Sequence, residues 1–149
     1  MKNSMKVVLG MVLAGAVTAA AAQAVPADRA IKFRQGVLTA MGWNMNIMGA
    51  MVKGDRPYNK DEFLLRATNL EHLAPMAWEG FVPGSEANSK AKPEIWKDAA
   101  KFKQHQDALV AASAKLVAAA KTGTLDAVKG PFGDVGKTCG SCHDDFRTK

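Results

Sequence analysis

Residues 125–146 read LDAVKGPFGDVGKTCGSCHDDF, and the spacing of their apolar side chains indicates the fold class of the chain. With about 100° between successive residues of an α-helix, its apolar side chains project within about 40° of one direction. An amphipathic helix has to bury such a face against other elements. The stretch therefore predicts a helix in a multi-helix core, and its apolar face consists of Leu125, Val128, Phe132, Val135, Cys139 and Phe146.

Three further segments have helical patterns, and almost nothing in the chain has the alternating Val, Ile and Thr pattern of a strand. The connections are short except for one polar loop, which links the two halves of the chain. Four helices joined in this way predict an all-α fold, an antiparallel four-helix bundle. The other three helices are expected at residues 27–52, 59–79 and 93–121, with the long loop at 80–92.

Capping residues and prolines set the expected helix limits. Asn59 can cap the second helix with Glu62 at its third position, and Thr124 can cap the fourth helix. Proline has no backbone N–H, and its ring clashes with the preceding turn. We therefore expect Pro75 to kink or shorten the second helix and Pro131 to break or kink the fourth.

The first 24 residues combine two lysines, a short apolar run and a small-residue cleavage pattern, Ala22-Gln23-Ala24. This combination predicts a cleaved secretory signal peptide. The apolar run is too short and too rich in alanine to favour a retained membrane anchor, so we expect no membrane insertion after cleavage. The mature chain is expected to form one domain, residues 25–149.

The charged residues indicate which partners are not expected. The 20 lysines and arginines are scattered among 14 aspartates and glutamates, and no basic run is interleaved with aromatic residues. Nucleic acid is therefore not an expected partner. No set of substrate-turnover residues is apparent in the sequence, so we do not expect an enzyme.

A Cys-x-x-Cys-His motif at Cys139, Cys142 and His143 places two thiols and an imidazole on one helical face. Two thiols at this spacing can add to the two vinyl groups of a haem, and the adjacent histidine then reaches the iron. The motif predicts one covalent haem c near the C-terminus. Bacteria attach this cofactor on the periplasmic side, which agrees with the predicted export and indicates the periplasm as the location.

Three other uses of the two cysteines are weaker interpretations. A disulfide would close a loop too small to constrain the unfolded chain. A thioredoxin-like redox pair begins a helix that follows a strand, and this chain has no predicted strand. A zinc site would need a fourth ligand, so His72 or His105 would have to be brought in by tertiary contact.

The first helix is the expected partner of the haem-bearing helix. Its core stripe contains Arg34, which would pair with a buried anion such as a haem propionate, or else snorkel to the surface. Its methionines could ligate the iron, although methionines on a helix face more often serve packing. The stripe consists of Ile31, Arg34, Leu38, Met41, Met45, Met48 and Val52.

These features resemble cytochrome c′, the four-helix-bundle class of c-type cytochromes, across essentially the whole mature chain. The chain departs from the family pattern at Pro131, where a helix former is usual. The matching stretches are AIKFRQGVLTAM at 30–41, VKGDRPY at 52–58, PGSEANSKAKPEIW at 83–96, DAAKFKQ at 98–104 and FGDVGKTCGSCHDDFR at 132–147.

The resemblance implies roles for residues around the haem. It implies that the two motif cysteines are the thioether anchors and that the motif histidine is the axial iron ligand. Arg34 and Gln35 match positions that border the haem propionates, and Glu94 matches a position near the haem edge. Arg147, one turn after His143, matches an arginine beside the axial imidazole, although it could equally complement the helix dipole.

The residue at position 38, a leucine, indicates how the haem iron is ligated. Low-spin relatives have their ligand methionine at this position, so the resemblance implies a five-coordinate, high-spin iron with an apolar distal pocket. Such a pocket has no hydrogen-bond donor for dioxygen, so we expect NO binding, weaker CO binding and disfavoured O2 binding. The protein would bind these gases or carry single electrons for an unidentified redox partner. The alternative is a low-spin electron carrier with Met41 or Met45 as the ligand.

A second apolar stripe lies opposite the first on the first helix. Members of the family usually form homodimers through their first helices, so the resemblance implies a homodimer with this stripe in the interface. Packing against the second helix of the same chain is the other interpretation. The stripe consists of Phe33, Ala40, Ile47 and Met51.

Overall fold

The computed structural model describes residues 25–149, so the predicted signal peptide at 1–24 lies outside the described residues. Within residues 25–149, no helix combines the length and hydropathy needed to cross a membrane. The elements are α1 at Ala27–Lys53, α2 at Lys60–Met76, a 3-10 turn at Ala77–Gly80, α3 at Glu94–Lys97, α4 at Ala99–Thr122 and α5 at Leu125–Phe146.

Four long helices, α1, α2, α4 and α5, form the bundle. Each packs against its neighbours, α1 on α2, α2 on α4, α4 on α5 and α5 on α1. The only strand-like pairing among residues 25–149 is an isolated bridge between Ala91 and Arg147. The predicted all-α four-helix bundle is confirmed. Its core contains the fully buried side chains of Met48, Phe63, Leu70, Leu116, Val128 and Val135.

Side-chain caps begin three of the long helices. The Asn59 side chain accepts a hydrogen bond from the Glu62 N–H at 2.9 Å, and the Thr124 hydroxyl accepts from the Ala127 N–H. Asp98 accepts from Lys101 N–H at 3.0 Å and begins α4. The predicted single helix at 93–121 is therefore wrong, because Asp98 leaves helical geometry and separates α3 from α4.

Helix α5 continues through Pro131, so the predicted break at this residue is wrong. Proline costs one backbone hydrogen bond and some strain inside a helix. On either side of it, Val128 and Val135 are fully buried in the same core. Burial of both halves of the face outweighs the local cost and keeps the helix in one piece. In α2, Pro75 lies in the last turn, and the chain tightens into the 3-10 turn at Ala77.

The two apolar stripes of α1 differ in their surroundings. The first faces the bundle, with Met41 and Met48 buried. The second is not a free surface along its whole length, because Met51 is 1% exposed inside the core and Ile47 packs against that core. Phe33, near the start of α1, remains 39% exposed. At Met51 and Ile47 the structure supports the other interpretation, packing within the same chain, because α1 packs on α2 as well as on α5. The homodimer itself stays a prediction.

Candidate haem site

A cavity of about 680 Å³ opens between α1, α4, α5 and the loop at 81–93. It falls within the range of about 300–1,000 Å³ that is usual for ligand sites. Leu38 and His143 both line it, and both residues are exposed. The structure brings together all but one of the predicted site residues, and those on the wall are Arg34, Gln35, Leu38, Cys139, Cys142, His143 and Arg147.

Glu94 is the predicted site residue that does not line the cavity. It is the first residue of α3 and is exposed. Its backbone carbonyl accepts the Asp98 N–H at 2.8 Å, which closes the single turn of α3. Its proposed place near the haem edge stays a prediction.

Cys139 and Cys142 occupy the last two turns of α5 as free, half-buried thiols. Burial raises the pKa of the Cys139 thiol. Burial, with the added effects of Cys139 and Asp145, raises the pKa of Cys142 to about 11. Both sulfurs are therefore neutral near pH 7. Their positions on one wall suit attachment to a shared ligand, and the structure has no disulfide between them.

His143 follows the second cysteine directly and lies on the cavity wall. Desolvation of its ring and the positive charge of Arg147 lower its pKa, while Asp144 acts in the opposite direction. The neutral imidazole is the form that binds a metal, so this environment favours ligation over protonation.

The wall of the cavity fits a flat, largely apolar group. Besides the motif, it is lined by aromatic side chains, Trp78, Phe81 and Phe102, which pack against one another at centroid distances of 5.0–6.2 Å. Such a wall supplies the dispersion contacts that a porphyrin needs. Two thiols and an imidazole at one wall provide the covalent and coordinate bonds. The residues present therefore fit a covalently attached haem.

Arg34 is 2% exposed, so the snorkelling interpretation is wrong. Its guanidinium donates to the Gly80 carbonyl at 2.8 Å and to the Ser85 hydroxyl and carbonyl at 2.6 Å each. A fourth hydrogen bond, to the Ser89 hydroxyl, is 2.8 Å long. The group also lies over the Phe81 ring at 4.7 Å. Arg34 thus fastens the loop to α1 beside the cavity, and its pairing with a haem propionate stays a prediction.

His105 lines the cavity, and its contacts with Asp145 and Phe146 were not predicted from the sequence. Its side chain is 14% exposed, and Nε2 lies 3.0 Å from an Asp145 carboxylate oxygen. Its ring also packs edge-on against Phe146 at 5.4 Å. His72, by contrast, is exposed on α2. The described residues contain no group of three His, Cys, Asp or Glu side chains that could hold a metal, so the structure does not support the zinc alternative.

The burial of two loop residues was also not predicted from the sequence. Ser85 is fully buried and Ser89 is half-buried on the cavity wall, and both bond to Arg34. Serines in a polar loop carry no pattern that marks them as buried. The one signal was Arg34 itself, an arginine on an apolar stripe that requires polar partners.

The profile of a protein family described as Cytochrome C' matches residues 29–147. The chain belongs to the cytochrome c′ family. The cytochrome c′ of Alcaligenes xylosoxydans xylosoxydans is 44% identical over 122 residues, which are 82% of this chain and 95% of that protein. The family is defined by covalently bound haem c, and the Cys139, Cys142 and His143 motif of this member fits that cofactor.

Solved structures of cytochrome c prime from Alcaligenes xylosoxidans share the fold. A nitric oxide complex of a leucine-to-alanine variant has a TM-score of 0.80 and 40% identity, and covers 85% of this chain and 99% of its own. A carbon-monoxide-bound leucine-to-glycine variant has a TM-score of 0.79 and 41% identity, and covers 84% of this chain and 98% of its own. These relatives are cytochromes c′ that bind NO and CO.

Proposed function

We propose that the protein binds NO and CO at the iron of one covalent haem c, and that the same haem can carry single electrons. The proposal rests mainly on the cavity. It is lined by Cys139, Cys142 and His143 of α5 and by Leu38 of α1. When bound, the haem supplies an iron with an open coordination position for a diatomic ligand. The protein acts in this proposal as a binding protein, without turnover of a substrate.

The proposal assigns a role to each residue of the motif. Cys139 and Cys142 hold the haem through thioethers, and the neutral imidazole of His143 is the axial ligand. Arg147 lies beside that imidazole and lowers its pKa. The proposal places Arg34 and Gln35 at the haem periphery, because both line the same cavity.

Leu38 determines which gases are favoured in this proposal. It lines the cavity and is 37% exposed, and its side chain offers no hydrogen-bond donor. Bound dioxygen carries partial negative charge and needs such a donor, whereas NO needs less polar help. We therefore expect ready NO binding, weaker CO binding and poor O2 binding by the reduced protein.

The alternative function is a low-spin electron carrier with a methionine ligand. The specific observation in its favour is that Met41 and Met45 line the same cavity as Leu38. A thioether sulfur at the iron would occupy the open position and exclude gases. The two functions therefore differ in the coordination number of the iron.

Optical spectra of the purified protein, ferric and ferrous, with and without NO, test the proposal. We expect high-spin bands that persist in the Met41→Leu, Met45→Leu double variant, because neither sulfur binds the iron. Met48→Leu, at a buried core position outside the cavity, is the matched control. Low-spin bands in the native protein that become high-spin only in the double variant would establish the methionine-ligated alternative.

The proposal includes a homodimer formed through α1. Phe33, Ala40 and Trp43 project within about 80° of one another on this helix. Trp43 is 64% exposed and Phe33 is 39% exposed. A large exposed tryptophan is typical of the residues that stabilise interfaces, and a two-fold dimer would bury it twice.

Substitution Trp43→Glu is expected to convert the dimer to a monomer, because it would bury a carboxylate from each subunit in an apolar interface. Sedimentation velocity should show a dissociation constant raised by at least about tenfold. Val110→Glu, at an apolar position 37% exposed on α4, is the matched control and should leave the dimer intact. A native protein that sediments as a monomer would remove the dimer from the proposal.

The proposed location is the periplasm. The signal-peptide pattern at residues 1–24 supports this location. The motif for haem c also supports it, because bacteria attach this cofactor on the periplasmic side. Release of the haem-containing protein by osmotic shock of intact cells would agree with this location. Retention of the protein with a cytoplasmic marker would contradict it.

A further inference from the structure

The C-terminal end of α5 is capped by a residue from a distant part of the chain. The last four carbonyls of an α-helix have no partners within the helix. Here all four accept hydrogen bonds, and Lys92 supplies three of them. Its ammonium donates to the carbonyls of Asp144 at 2.8 Å and Asp145 at 3.2 Å, and its N–H donates to that of Phe146 at 2.9 Å. The Arg147 N–H donates to the fourth, on His143, at 3.1 Å.

The segment before Lys92 also contacts the residues that follow α5. The Thr148 N–H donates to the Lys90 carbonyl at 2.9 Å, and Ala91 pairs with Arg147 in the isolated antiparallel bridge. We refer to residues 85–92 as the strap. The strap holds the chain on the C-terminal side of His143.

The other end of the strap is fixed to α1. The Ser89 hydroxyl accepts from Arg34 at 2.8 Å and from the Ala91 N–H at 3.2 Å. Buried Ser85 accepts from the same arginine through both its hydroxyl and its carbonyl. The strap is therefore hydrogen-bonded to Arg34 of α1 at one end and to the last turn of α5 at the other.

We propose that Lys92 and the strap position His143, by fixing the last turn of α5 relative to α1. This inference rests on the proposed function, in which His143 is the axial ligand. Helix ends fray unless their carbonyls are capped, and a cation at the negative end of the helix dipole adds to the capping. Because His143 belongs to this turn, order in the turn determines where its imidazole stands. Lys92 does not line the cavity, so it is a positioning residue.

Hydrogen exchange of the haem-loaded mature protein, residues 25–149, tests the inference. Lys92→Met keeps the side-chain length and the backbone bond to Phe146 but removes the two ammonium bonds, so amides of residues 143–148 should exchange roughly tenfold faster. Lys97→Met is the matched control, since the Lys97 ammonium is exposed and has no hydrogen-bond or ion-pair partner within residues 25–149. Lys92→Arg, which keeps a charged donor, should restore most of the protection.

A second readout separates positioning from mere capping. The iron–histidine vibration of the ferrous protein, measured by resonance Raman, should shift or broaden in Lys92→Met and stay unchanged in Lys97→Met. Faster exchange with an unchanged vibration would show that the strap caps the helix without positioning His143, and equal exchange in both variants would overturn the inference altogether. If the native protein carries no haem, the proposed function fails, while the exchange comparison still reports on the strap.

Discussion

Replacing both Cys139 and Cys142 with serine is expected to abolish covalent haem attachment. In the native protein the haem should remain with the polypeptide after acid-acetone extraction, because thioether bonds survive this treatment. In the double variant the extracted polypeptide should lose its Soret band completely. Serine hydroxyls do not add to vinyl groups under these conditions, and no other cysteine exists in the chain. Intact mass of the polypeptide gives the same answer independently.

The double variant should also unfold at a lower temperature. A ligand that binds only the folded state stabilises that state. Without it, the cavity of about 680 Å³ loses the contacts of its aromatic wall. Ser141→Ala is the matched control, because Ser141 lies between the two cysteines on the exposed side of α5. Retention of an acid-stable Soret band by the double variant would contradict the assignment of the cysteines as anchors.

The sequence predicted the bundle and the motif because both depend on local spacing. A helical period of about 3.6 residues is visible in a single segment, and Cys139, Cys142 and His143 lie within five residues of one another. Local capping signals were equally readable, and Asn59 and Thr124 cap helices as expected.

The errors arose where tertiary packing overrides a local preference. Pro131 is a helix breaker by its covalent structure, but burial of Val128 and Val135 outweighs that preference. At Met51 the local pattern could not show that α1 packs against several neighbours, so a dimer interface and packing within the chain both stayed open. Helix propensity and periodicity are weak predictors at such positions because the deciding energy comes from other elements.

The hydrogen bonds of the strap could not be predicted from the sequence for a related reason. Arg34 bonds to residues 51 and 55 positions further along the chain, and Lys92 bonds to carbonyls 52 and 53 positions away. A lysine or a serine in a polar loop has the same local pattern whether it is solvated or bonded to a distant helix. Only the stripe position of Arg34 indicated that this part of α1 needed polar partners.

Arg34→Met is expected to cause a large loss of stability. It leaves the Gly80 and Ser85 carbonyls without their buried donors, which costs about 1–3 kcal/mol for each group. We expect the free energy of unfolding to fall by about 3–5 kcal/mol, and the melting temperature by at least about 10 °C. Arg29→Met, at an exposed arginine on the same helix, is the matched control and should stay within about 0.5 kcal/mol of the native protein.

A double-mutant cycle with Ser85→Ala distinguishes the loop contacts of Arg34 from a contact with the haem. Ser85 bonds to Arg34 but does not line the cavity. If Arg34 acts through the loop, the two substitutions should be strongly non-additive, with a coupling of about 1–3 kcal/mol. If its main partner is a haem propionate, the effects should add, because removal of the Ser85 hydroxyl leaves that partner unchanged. Additive effects would therefore indicate that Arg34 stabilises the protein mainly through a partner other than the Ser85 hydroxyl. Coupling would show that the bond between Arg34 and this hydroxyl helps to hold the strap on α1.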